Sequence, residues 1–167
     1  NMLYLFLSKR LDCKHEKIAY FNIALSLGIM AFSIHPGPQP GGDVYRYYLE
    51  MNLPHVQVFQ RFIRTEKNLM NITFYGMMHL IQRASLPKNL LSFISIFVSY
   101  FCTLLTLVEI RQKNNFKYTN ISAILIALFF YVYSPYTLFS NYRTFLGVSM
   151  LGLGIAKINN GKKVFGT

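Results

Sequence analysis

Two short stretches of this 167-residue chain set an arginine beside tyrosines: GGDVYRYY, Gly41 to Tyr48, and SNYRTF, Ser140 to Phe145. A carboxylate such as Asp43 can orient a sugar hydroxyl or take its proton. A guanidinium grips phosphate with paired donors and neutralises the charge that grows on a phosphate leaving group. Asp43 and Arg143 are therefore the candidate catalytic groups, with Arg46, Tyr47, Tyr142 and His79 as candidate substrate-binding groups. Each also has a plainer role. Asp43 follows Pro40-Gly41-Gly42, and aspartate is a preferred N-cap. Arg46 could snorkel to lipid headgroups, and a lone histidine such as His79 is commonly a hydrogen-bonded structural residue. Arg143 lies between two hydrophobic segments, where a permanent charge is costly unless it faces water, a partner or a ligand. His35 and His55 are weaker candidates. Glu109 near Arg111 and Glu66 beside Lys67 read as solvated or paired charges. Tyr131, Tyr133 and Tyr136 read as packing or belt aromatics.

The elements that would position these groups are apolar. Hydrophobic residues make up 53% of the chain and charged ones 14%, against about 25% in soluble proteins. The mean hydropathy is +0.30. A soluble domain of this size could not hide several long apolar runs, so the expected fold class is all-α, a polytopic transmembrane helical protein. Spans are expected at 18–34, 90–110, 121–139 and 144–158, in a single membrane domain covering 1–167. Pro135 should kink or end the third, and Gly147, Gly152 and Gly154 would let the fourth approach a neighbour closely. Val44, Tyr47, Tyr48 and Met51 recur at helical spacing with Arg46 and Glu50 on another face. They predict a short amphipathic helix at the interface, broken by Pro54. VQVFQRFIRTEKN reads as a second interfacial piece, and 68–84 could span or not.

Charge decides between those arrangements. The net charge is +11. If 68–84 does not span, the clusters Lys9–Lys17, Arg111–Lys117 and Lys157–Lys163 share one side and hold ten of the seventeen Lys and Arg. Positive loops prefer the cytoplasm. This favours a cytoplasmic N-terminus, with 43–89 an extracytoplasmic interfacial or re-entrant segment. Basic residues placed between apolar runs argue against a nucleic-acid partner. Cys13 and Cys102 show no metal or disulfide spacing. No phosphate-binding Gly-rich loop, HExxH or nucleophile elbow is present, so neither a metal nor another cofactor is expected. The short MLYLFL run is not a convincing signal peptide, and the chain is expected to be the N-terminal part of a longer protein.

An apolar span, then GGDVYRYY, then EKNLMNITFYGMMHLIQRASLPKNLLSFISIFVSYFCTLLTLV, then SPYTLFSNYRTFLGVSMLGLGIAK, resembles the N-terminal half of the EpsG-like and Wzy-like bacterial polysaccharide polymerases. The matching positions are Gly42, Asp43 and Tyr47, then Glu66, then Arg143 at the head of a small-residue helix, with Gly147 where an alanine is common. The resemblance implies a multi-pass enzyme of the bacterial inner membrane. It would join oligosaccharide repeat units carried on undecaprenyl pyrophosphate into O-antigen, capsule or exopolysaccharide, without a nucleotide donor. Asp43 would orient or deprotonate the acceptor hydroxyl, and Arg46 and Arg143 would hold pyrophosphate. The implied partners are the lipid-linked oligosaccharide, membrane lipid and other proteins of polysaccharide assembly. Family members carry further spans and often a later histidine motif. The alternatives are a non-catalytic or transport-related membrane protein of the same export pathway, or an inactive truncated polymerase. Few charges lie inside the spans, which disfavours ion or proton transport.

Overall fold

The computed structural model describes residues 13–34, 43–54, 57, 69–114 and 142–161; the side chains of 13–15, 43, 69–73, 114 and 142–143 fall outside that description. The described residues are all-helical, with no strand among them. Five helices follow in order: α1 (Cys13–Ser33), α2 (Asp43–Glu50), α3 (Leu69–Arg83), α4 (Asn89–Asn114) and α5 (Tyr142–Asn159). One of them, α4, is long and apolar enough to cross a membrane, over Asn89–Lys113; α5 is apolar but shorter. The expected span at 121–139 and most of the expected interfacial piece after Pro54 lie outside the described residues.

Helix α4 is the central element. At one end Asn89 Nδ2 donates to Phe32 O of α1 (2.8 Å), and at the other Arg111 pairs with Glu16 of α1. The two helices are therefore antiparallel. Between these ties, Gly28 of α1 sits so close to α4 that an added Cβ would meet Phe97 Cβ at 3.1 Å and the Phe93 ring at 3.2 Å. Phe93, Phe97 and Phe101 stack at 5.9 and 5.8 Å, one turn apart. Phe21 of α1 meets the last two edge-on. The absent Gly28 side chain is what lets this aromatic ladder lie against α1.

Helix α5 lies on another face of α4 and runs the same way. Phe145 meets Tyr100, Gly152 faces Thr106, and Asn160 reaches Glu109, so contact positions rise together. One buried cluster joins Ala24 and Ala31 of α1, Val44, Tyr47 and Met51 around α2, Phe74, Met78 and Ile81 of α3, Leu91, Ile96 and Tyr100 of α4, and Leu146 of α5. A smaller one holds Tyr20, Leu104 and Val108.

The boundaries differ from the sequence expectation in an instructive way. α1 begins at Cys13 rather than residue 18 because Glu16 is buried, accepting from Tyr20 OH (3.0 Å) and pairing with Arg111. A paired carboxylate can be part of a buried helix where a lone one could not. α3 ends in a cap of the type usually closed by glycine: Leu86 N donates to Ile81 O (3.0 Å), and the left-handed residue is Ser85, at φ 52°. Pro87 follows and its carbonyl accepts from Leu90 N, starting α4. The residues read as an amphipathic helix form α2, with Val44, Tyr47 and Met51 buried and Arg46 exposed. Its turn bonds continue to Leu53, just before Pro54.

Candidate functional site

The candidate residues sit on α2, α3 and the head of α5. Asp43 opens α2; its side chain lies outside the described residues. One turn on, Arg46 is exposed and its Nη2 donates to Tyr47 OH at 3.2 Å. Its guanidinium carbon lies 5.2 Å from the centre of the Tyr47 ring, within cation–π reach. Tyr47 itself is fully buried, packed on Phe74 (4.8 Å) and Tyr75 (6.5 Å). What Tyr47 supplies is a fixed surface under the guanidinium; it holds Arg46 in place rather than meeting solvent.

His79 is half-buried on α3, with Nδ1 shielded from solvent. Tyr142 and Arg143 are the first two residues of α5, and their side chains lie outside the described residues. The connector 35–42, with its proline and glycine turn, also lies outside them. Val44 and Tyr47 follow Asp43 closely, and Leu146 follows Arg143 by three; all three belong to one buried cluster. The starts of α2 and α5 are thus carried by elements that pack into a common core. The Phe145–Tyr100 contact falls eight residues further along α4 than the Tyr48–Ser92 bond, about 12 Å at 1.5 Å per residue. Where it meets α4, the first turn of α5 is therefore at a deeper level of that helix than Tyr48 is.

Several polar contacts hold α2 in position and were not legible as motifs. Tyr48 OH and Ser92 Oγ are 2.8 Å apart, joining α2 to α4. Burial raises the Tyr48 phenol above the usual tyrosine range, with the Ser92 bond pulling the other way. Gln82 Nε2 donates to the carbonyls of Leu53 (2.6 Å) and Met51 (3.3 Å), clamping the end of α2 to the end of α3. Lys88 Nζ donates to Asn52 Oδ1. Gln82 and Ser92 bond across more than twenty residues of sequence, so nothing in their local spacing reports the pairing. The one signal available was that polar residues occur inside otherwise apolar helices.

At the opposite end of the bundle, Glu109 is buried rather than solvated. It accepts from Asn160 Nδ2 at its carboxylate (2.7 Å) and at its backbone carbonyl (2.9 Å). Arg111 pairs with Glu16. The described parts of the three basic clusters thus meet at one end, as the charge count groups them. Cys102 is a free, buried thiol. Among the described residues, no group of three or more His, Cys, Asp and Glu is placed to hold a metal.

No protein-family model matches the chain, and comparison with the curated proteins and with the solved structures finds no match.

Proposed function

We propose that the chain is a multi-pass membrane glycosyltransferase that polymerises oligosaccharide units carried on undecaprenyl pyrophosphate, at the extracytoplasmic end of the bundle. The packing fact that supports it is the cluster shared by Val44, Tyr47 and Leu146. A site shared by Asp43, Arg46 and Arg143 needs α2 and α5 to belong to one core, and this cluster includes residues of both. A guanidinium carried beside apolar helices needs water or an anion, and a lipid pyrophosphate is an anion that a membrane brings to its surface.

In this reading the Asp43 carboxylate takes the proton of the acceptor hydroxyl. The freed oxygen attacks the anomeric carbon of the donor, and the bond from that carbon to the pyrophosphate oxygen breaks. Arg46 and Arg143 hold the departing lipid pyrophosphate as its charge grows. Membrane residence is supported by α4, whose apolar window is only 44% buried in the bundle. It is also supported by the run of exposed Ile18, Ile29 and Met30 on α1 and Val148, Leu151, Ile155 and Ile158 on α5. A soluble core helix is usually mostly covered, and a soluble monomer of this size seldom exposes so many large apolar side chains.

The test is glycan length. Bacteria deprived of this chain are given back the wild type, Asp43→Asn or Arg143→Ala, and their lipid-linked glycans are sized. Wild type is expected to restore long chains and each variant to leave single repeat units. Normal lengths with both variants overturn the reading.

A further inference from the structure

The end of the bundle far from α2 carries a cavity that the polymerase reading does not use. It has a volume of about 370 Å³, opens between the C-terminal ends of α4 and α5, and is lined by Gln112, Lys113, Asn159 and Asn160. It is a shallow, open recess rather than an enclosed pocket, with room for a headgroup phosphate but not for a buried small molecule. All four lining side chains carry N–H donors, and one carries a positive charge.

Among the described residues, the acids at this end are already engaged. Glu16 holds Arg111 and Tyr20, and Glu109 holds Asn160. Lys113 is exposed and has no hydrogen bond or ion pair among the described residues. Lys17, also exposed, and Lys157 add charge at the same end. The C-terminal dipoles of α4 and α5 oppose an anion there with about half a negative charge each, and the ammonium groups of Lys113, Lys17 and Lys157 together outweigh the two helix ends. Just toward the middle of the bundle, the same two helices turn apolar and stay exposed: Leu107 and Ile110 on α4, Ile155 and Ile158 on α5. Donors above and bare isoleucines below are the two halves of a phospholipid, a phosphate with acyl chains hanging from it.

We propose that this cavity binds the phosphate of an anionic membrane lipid, with Lys113 as its principal charge and the carboxamides of Gln112 and Asn159 as further donors. The Ile155 and Ile158 face lies along the acyl chains. The inference rests on the membrane reading but not on the polymerase chemistry. Basic recesses between helix ends on the cytoplasmic side are a general way of holding such headgroups.

The experiment uses the full chain in a neutral detergent, titrated separately with short-chain phosphatidylglycerol and short-chain phosphatidylcholine, with retained lipid counted by native mass spectrometry. Wild type should retain phosphatidylglycerol in clear preference. Lys113→Gln should lower that preference about fivefold, as expected for one basic residue at a charged surface, and Lys113→Arg should keep it. Circular dichroism confirms that each variant keeps its helices. Asn159→Leu provides a second, uncharged lesion in the same wall and should also weaken retention. Equal retention of the two lipids, or an unchanged preference in both Lys113→Gln and Asn159→Leu, overturns the proposal. Millimolar inorganic phosphate is the competing arm: displacement of the lipid by free phosphate means the site takes phosphate alone, and the lipid assignment fails. If the chain cannot be held in detergent or inserted into vesicles of any composition, it is the membrane reading that fails.

Discussion

Tyr48 is the residue on which the placement of α2 turns. Its hydroxyl shares a hydrogen bond with Ser92 in a helix 44 residues away in sequence. Tyr48→Phe leaves the buried Ser92 hydroxyl without that partner, at a cost of about 1–2 kcal/mol. Thermal unfolding in detergent should show the loss, while the Tyr45→Phe control on the same helix should not. The phenol also sets a pH dependence. Burial, offset in part by Ser92, raises the folded-state pKa of Tyr48 above its ordinary value of 10.0. The folded chain then holds that proton more tightly than the unfolded one, so the stabilisation is fully present below pH 10 and is lost as pH rises further. In Tyr48→Phe, the part of the alkaline loss due to this group should vanish. Ser85 offers the opposite case. It occupies a left-handed conformation at φ 52°, which costs a non-glycine residue about 1 kcal/mol. Ser85→Gly should raise the unfolding temperature, and a lowered temperature would show that the Ser85 side chain contributes something the cap geometry does not.

At the scale of elements, the seam between α1 and α4 depends on one missing side chain. Gly28→Val would push a branched group into the Phe93 and Phe97 rings, where even a Cβ stands at 3.1–3.2 Å. Overpacking of this kind costs about 1–3 kcal/mol, measurable as a lowered denaturation midpoint in detergent; an unchanged midpoint would mean the seam opens freely. Much of the element layout was legible in the sequence. The apolar runs beginning near residues 18, 90 and 144 became α1, α4 and α5, and the spacing of Val44, Tyr47 and Met51 marked the buried face of α2. Hydrophobic periodicity reports such helices because burial of one face is a local property of the sequence. What escaped was non-local. Glu16 extends α1 because Arg111, far along the chain, is there to meet it. Tyr47 has the residue type of a ligand-binding group, yet it packs under Arg46 because Phe74 and Tyr75 close over it. Type and spacing suggest a role for a tyrosine; only the neighbouring helix decides whether its ring faces a ligand or a core.

For the whole molecule, the directions of the helices make a topological statement. Glu16, Arg111 and Asn160 gather at one end, while Phe32, Asn52, Lys88 and Asn89 gather at the other. In sealed vesicles, single cysteines introduced at Asn52 and at Asn160, in a chain with Cys13→Ser and Cys102→Ala, should react with an impermeant maleimide from opposite sides. Labelling of both from the same side would contradict a bundle that crosses the bilayer.

The two ties at either end of the α1–α4 pair also carry a mechanical consequence. Both ends of the pair are pinned, by Glu16 with Arg111 and by Asn89 with the Phe32 carbonyl, so neither helix can slide along the other without breaking both pins together. Tension applied at Cys13 and Asn114, which lie at the same end, loads them one after the other instead. The ion pair parts first, then the Tyr20 and Leu104 contact, then the Gly28 seam, and the Asn89 pin last. The pair resists shear as a unit and opens like a zipper.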